Sequence, residues 1–203
     1  MRRWIIGIAV LGALALVGVI LSHTTTLARG AAEHGWESLF NGKNLKGWEV
    51  HKGGDWKVEH GALVCSGTTA GWVQTLVPSS NYTLRLQFFG KSTVNSGVFV
   101  RAQKEGLPWV SGYECQIWAN MPTGYSTGSL VGAVKARPAK ILSDRWNRYE
   151  ITANGDHFVV VLNGKTLLDA HNSKHLTGNV IGLQCDKNNP IKFRDIMLRP
   201  LAE

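Results

Sequence analysis

Between Trp36 and Leu198 the apolar side chains recur at every second position, in short runs broken by turn residues. Tyr82 to Phe89 is the cleanest run, with Leu84, Leu86 and Phe88 alternating with Arg85 and Gln87. A period of two sends successive side chains to opposite faces of a strand, so each run is suited to bury one face of a sheet. Comparable runs lie at Trp56 to Glu59, Ala62 to Cys65, Gly71 to Leu76, Ser96 to Ala102, Tyr113 to Trp118, Trp146 to Ala153, Phe158 to Leu162, Val180 to Cys185 and Ile191 to Leu198. His60-Gly61 and Asn163-Gly164 have the composition of tight hairpin turns. A turn or two of helix is expected only around Pro138 to Asp144. This pattern predicts an all-β domain over 36–203, two antiparallel sheets packed face to face.

The first thirty-five residues have a different composition. Arg2 and Arg3 precede an uncharged apolar run from Trp4 to Leu21. That is the layout of a signal peptide, and the run is also near the lower limit for a membrane-spanning helix. Residues 1–22 are therefore expected to be a signal peptide or an N-terminal membrane anchor, and 23–35 a polar linker. The domain is expected outside the cytoplasm, periplasmic or secreted, or else anchored and facing outward. Any membrane contact is expected through this segment alone. Without Arg2, Arg3 and Arg29 the chain keeps 19 Lys and Arg against 14 Asp and Glu, so +8 falls to +5. The remaining charge is spread along the chain with no basic run, and no nucleic-acid partner is expected. Oligomeric state is not legible.

Three cysteines, Cys65, Cys115 and Cys185, are too few and too scattered for a disulfide framework or a zinc site. Buried free thiols are the expectation, with a Cys115–Cys185 bond as the alternative an oxidising compartment allows. His171 and His175 lie four apart in a loop and lack a third ligand.

Two stretches carry chemistry. In Gly112-Tyr113-Glu114-Cys115-Gln116-Ile117-Trp118, one face holds Tyr113, Cys115 and Ile117 and the other holds Glu114, Gln116 and Trp118. A carboxylate, an amide and an indole in a row suit a polar ring such as a sugar; an ordinary polar-out strand would show the same alternation. In Asn95-Ser96-Gly97-Val98-Phe99-Val100-Arg101, a polar residue stands at each end of an apolar strand. Arg101 could pair with Glu114 or hold an oxyanion, or simply cap the strand. Trp72, Trp109 and Trp118 lie near loops or the polar face, where a sugar ring could stack. Ordinary glycoside hydrolysis needs two carboxyl groups. The strand offers one, and Asp144, Asp186 or Asp195 could supply a second from a loop.

These residues carry a family likeness. Ser38-Leu39-Phe40-Asn41-Gly42-Lys43-Asn44-Leu45-Lys46-Gly47-Trp48 resembles the opening motif of the 3-keto-disaccharide hydrolase domain family. Asn95 to Arg101, Gly112 to Ile117, Thr127-Gly128-Ser129-Leu130, Ile181-Gly182-Leu183-Gln184 and Phe193-Arg194-Asp195-Ile196 are similar to its further motifs. The resemblance implies a concanavalin A-like jelly-roll sandwich. It also implies action on 3-keto-glycosides, by β-elimination, hydration or net hydrolysis, with carbohydrate as partner. A lectin-like binding module without catalysis is the alternative. On this likeness Glu114 and Arg101 would be catalytic. Asn95, Gln116, Trp118, Trp109 and Gln184 would contact substrate. A divalent metal is left open. The sequence departs from the family at Ala119, at Val131 and at Cys185-Asp186-Lys187, where many members carry Asp, Tyr and a His-Gly pair.

Overall fold

The computed structural model describes residues 35–202. The expected signal or anchor segment, and the linker up to residue 34, lie outside the described residues. The alternating runs are strands. In chain order they are β1 (Glu37–Ser38), β2 (Glu49–His51), β3 (Trp56–Glu59), β4 (Ala62–Cys65), β5 (Gly71–Leu76), β6 (Tyr82–Gly90), β7 (Ser96–Ala102), β8 (Tyr113–Ile117), β9 (Arg145–Asn154), β10 (His157–Leu162), β11 (Lys165–His171), β12 (Val180–Cys185) and β13 (Ile191–Pro200). The described residues form two antiparallel sheets. The larger runs β11-β10-β9-β6-β13-β4-β3 with β1 on β13, and the smaller β2-β5-β12-β7-β8. Spatial neighbours such as β6 and β13, or β5 and β12, are far apart in sequence, which is the connectivity of a jelly-roll sandwich.

The core lies between the sheets. Leu84, Leu86 and Phe88 of β6 are fully buried, as are Val73, Val98, Ile181 and Leu183 of the smaller sheet. Each such side chain contributes roughly 1.5–3 kcal/mol by leaving water.

Two expectations are corrected. The helix is not at 138–144 but is the single turn α1 (Pro108–Ser111), opened by Pro108 in the first turn, where its missing N–H costs nothing. Residues 138–144 run without helix: Arg137 N donates to Leu167 O (2.9 Å) and Leu142 N to Asn147 Oδ1 (2.9 Å), so the neighbouring strands take the backbone groups a helix would use internally. The second correction concerns the thiols. Cys65 and Cys185 form a disulfide, and Cys115 is the free, buried cysteine. Cys115 and Cys185 sit on strands separated by β7, out of bonding range. Cys65 faces Cys185 across the sandwich, from β4 of one sheet to β12 of the other, with Cα atoms 6.2 Å apart.

Candidate functional site

The outer face of the five-stranded sheet carries the candidate chemistry. Register places His51, Trp72, Gln184, Gly97 and Gln116 in one row across it, and Glu49, Gln74, Gly182, Phe99 and Glu114 in the next. The edge of β8 is covered by the following loop. Val131 N donates to Glu114 O (3.0 Å), Gln116 N to Ser129 O (3.0 Å) and Thr127 N to Trp118 O (3.1 Å). That closure fixes the strand bearing Glu114 and leaves no free edge.

Glu114 leans over Gly97 of the adjacent strand. A Cβ at position 97 would stand 2.7 Å from Glu114 Cγ, so only glycine leaves room for the carboxylate there. Burial, with a smaller push from the Asp186 carboxylate, raises the Glu114 carboxyl to about 7. Asp186 follows β12 directly. It accepts from Asn95 Nδ2 at 2.7 Å and from its neighbour Lys187 N at 2.9 Å. Asn95 therefore holds the second carboxylate, one of three acids the sequence had offered for that place.

Gln184 lies between Trp72 and Gly97 in the row, and its buried Oε1 has no protein partner. A buried acceptor left in this state is suited to a ligand hydroxyl. Beside it is an aromatic group. His51 stacks on Trp72 (centroids 5.2 Å), Trp109 meets Trp72 edge-on (5.7 Å), and Phe99 packs on Trp109 (5.9 Å). Trp72 Nε1 donates to Gln74 Oε1 (2.9 Å), which fixes the indole. Trp72 is 3% exposed and Trp109 45%, so Trp109 offers the open ring surface and the others brace it.

Not every expected residue joins this group. Arg101 is the clearest correction: it forms no pair with Glu114. A bulge gives β7 an extra residue against β12, Arg101 takes φ +54, and its fully buried side chain leaves the outer face. Its guanidinium donates to Ser80 O (2.9 Å), Gly155 O and Asn81 Oδ1 (2.9 Å), and lies over the Phe158 ring. Gln116 is on the expected face but committed. Its Nε2 donates to Met121 Sδ (3.2 Å) and its Oε1 accepts from Ile117 N (2.9 Å). Trp118 is half-buried just beyond β8. Phe99 and His51 were not singled out from sequence: Phe99 sits in a run that reads as ordinary strand, and His51 ends the short strand β2.

Among the described residues, no three His, Cys, Asp or Glu side chains come together to hold a metal ion. Glu114 and Asp186 offer two carboxylates, too few protein donors for a dedicated site. A cleft of about 680 Å³ between Ala119, Pro138, Leu142 and Leu162 carries no carboxylate.

A two-sheet jelly roll with a carboxyl pair, an orphaned amide oxygen and an open indole on one face defines a carbohydrate-related domain of the glycosyl hydrolase-like class. The chain belongs to the family described as the 3-keto-alpha-glucoside-1,2-lyase-like domain, whose model matches residues 35–199. Among solved structures it is similar to a "putative glycosyl hydrolase" from Parabacteroides distasonis ATCC 8503, with TM-score 0.70 and 20% identity over 83% of this chain and 94% of that one. A second "putative glycosyl hydrolase" from the same organism gives 0.64 and 24% identity over 82% and 99%. The carbohydrate binding module CBM66 from Bacillus subtilis gives 0.61 and 16% over 75% and 95%. At these identities the likeness is one of fold. No curated protein matches the chain in sequence.

Proposed function

We propose that the chain is an enzyme acting on 3-keto-glycosides, with Glu114 as its acid–base group. The observation that carries this reading is the half-buried Glu114 carboxyl, raised to about 7, beside the unpartnered Gln184 oxygen. A ketone at C3 acidifies the C2 proton of the sugar. The Glu114 carboxylate takes that proton, the electron pair forms the C1–C2 double bond, and the C1–O bond breaks with its electrons leaving on the aglycone oxygen. Protonated Glu114 then returns the proton to that oxygen. A group that populates both forms near neutral pH is suited to both halves of this cycle. Gln184 would order the sugar hydroxyls and Trp109 would carry the ring face. The product is a 3-keto-2-hydroxy-glycal, and addition of water across its double bond would complete net hydrolysis.

Export belongs to the same proposal. The Arg2-Arg3 and Trp4–Leu21 pattern supports it, and so does the Cys65–Cys185 disulfide, which is at home in an oxidising compartment. A periplasmic or secreted protein, or one anchored by its N-terminus and facing outward, fits both.

The second reading is a carbohydrate-binding module. The exposed Trp109 braced by Trp72 favours it, since such a platform binds sugar without any chemistry. Incubating the protein with a 3-keto-disaccharide, with and without chelator, separates the two. Release of the aglycone and a 3-keto-2-hydroxy-glycal supports the enzyme; binding with no product supports the module.

A further inference from the structure

We propose that a pocket lined by Glu49, Gln74, Leu76 and Lys104 is the aglycone subsite of this face, and that it selects a neutral, hydroxyl-rich leaving group, a second sugar ring, over an alkyl or aryl one. This rests on the reading of the chain as an enzyme acting on 3-keto-glycosides.

Position comes first. The row that holds Glu114 crosses the sheet through Phe99, Gly182 and Gln74 to Glu49. Trp109 packs on Phe99 of β7 and on Trp72 of β5, so it bridges those strands across β12. Beyond it a pocket of about 480 Å³ opens beside β5 and β2, with Lys104 of the segment between β7 and α1 in its wall. That volume lies within the usual range for small-molecule sites. Neighbouring strands are roughly 4.8 Å apart, so the Glu114 carboxylate, seated over β7, is roughly 12 Å from the gap between β5 and β2. One ring against Trp109 and one in the pocket fill that span. Gln74 ties the two stations together. Its Oε1 accepts from Trp72 Nε1 (2.9 Å) and its Nε2 donates to Lys104 O (3.1 Å). The same amide thus fixes the indole that braces Trp109 and the segment that walls the pocket.

The lining sets the chemistry of the occupant. Glu49 and Lys104 bring opposite charges to one pocket, and the ion-pair partner of Glu49 is His51 Nε2, 3.5 Å away, not Lys104. An anionic ligand is repelled by Glu49 and a cationic one by Lys104. A neutral polyol meets neither penalty, because its hydroxyls donate to the carboxylate and accept from the ammonium. Leu76, 52% exposed, supplies apolar surface for the C–H face of a ring. An aglycone with no hydroxyls would cover both charges and return no hydrogen bond.

The test compares two ligands that share one 3-keto ring, a disaccharide and a methyl glycoside. Affinity is read rather than rate, because a sugar hydroxyl and methanol differ as leaving groups. Kd is measured in the Glu114→Gln protein, which holds the ligand without consuming it. The disaccharide is expected to bind about tenfold more tightly. Lys104→Ala and Leu76→Ser, both at exposed positions, are each expected to cut that advantage severalfold and to leave the Kd of the methyl glycoside unchanged. Equal affinity for the two ligands overturns the proposal. So does an advantage that survives both variants, or an equal weakening of both ligands. The expected pattern of Kd values, with no turnover by the unmodified protein, would sink the enzyme reading and leave the subsite standing. Turnover by a protein that shows no such preference would do the reverse.

Discussion

The Glu114 side chain rests on the backbone of Gly97, its directly opposed neighbour's place in the ladder being filled by Phe99. The carboxylate occupies space that any other residue at 97 would fill. Gly97→Ala therefore forces Glu114 off its seat. Overpacking of this kind costs roughly 1–3 kcal/mol. We expect a folded protein with modestly lowered Tm, and turnover of a 3-keto-glycoside reduced far more than thermal stability. Melting curves and initial rates on the same preparation check it; unchanged turnover would mean that the seat is not used.

Arg101 predicts the opposite division. Its removal takes the guanidinium donor from Ser80 O and Gly155 O, while Asn81 Oδ1 keeps the Gly155 N–H; an acceptor left unpaired away from water costs about 1–3 kcal/mol. Arg101→Ala should lower stability by roughly 1–3 kcal/mol on those grounds. The fraction that folds should keep its turnover, since the guanidinium lies away from the outer face. Denaturant unfolding together with active-site-normalised rates would show this. A loss of rate with stability intact would return Arg101 to the mechanism.

The raised carboxyl also sets a pH dependence of stability. Glu114 moves from 4.5 to about 7 on folding, so between those values the folded state holds a proton that the unfolded state has released. Its contribution is complete below pH 4.5 and is lost as pH rises through 7, about 3 kcal/mol in all. His175 acts in the other direction. Burial, then Lys174, lowers its folded value below 6.5, so stability falls as pH drops through that value. Because the two oppose each other in weak acid, the comparison must be made by substitution. Glu114→Gln should stabilise the protein by roughly 2–3 kcal/mol at pH 8 and by much less at pH 4, measured by chemical denaturation. Equal effects at both pH values would refute the buried, raised carboxyl.

The strands were most legible where only one face is fully buried. Tyr82–Gly90, Arg145–Asn154 and His157–Leu162 alternate in burial as they alternate in sequence, whereas Ala62–Cys65 and Ser96–Ala102 are buried throughout. The face shared by Glu114, Gln116 and Trp118 followed from the same period. What lies beyond one strand was not legible. Cys65 and Cys185 meet because two sheets stack, and no local spacing encodes which residues then face each other. Arg101 continues the outer-face alternation of Gly97 and Phe99 in sequence, but a single bulge at φ +54 takes it out of that face. Asp186 appeared as a departure from the family pattern, and its link to Asn95 joins residues 91 apart. Sites built from turns of different strands depend on such pairings, which period and composition do not carry.

The central claim is that Glu114 moves the proton while the rest of the face holds the sugar. Glu114→Gln keeps the volume and the seat over Gly97 and removes the base. Turnover and binding of one 3-keto-glycoside by this variant, measured side by side with the unmodified protein, decide the matter. The account predicts a rate lower by about a hundred- to ten-thousand-fold with Kd nearly unchanged. A rate equal to that of the unmodified protein would contradict it.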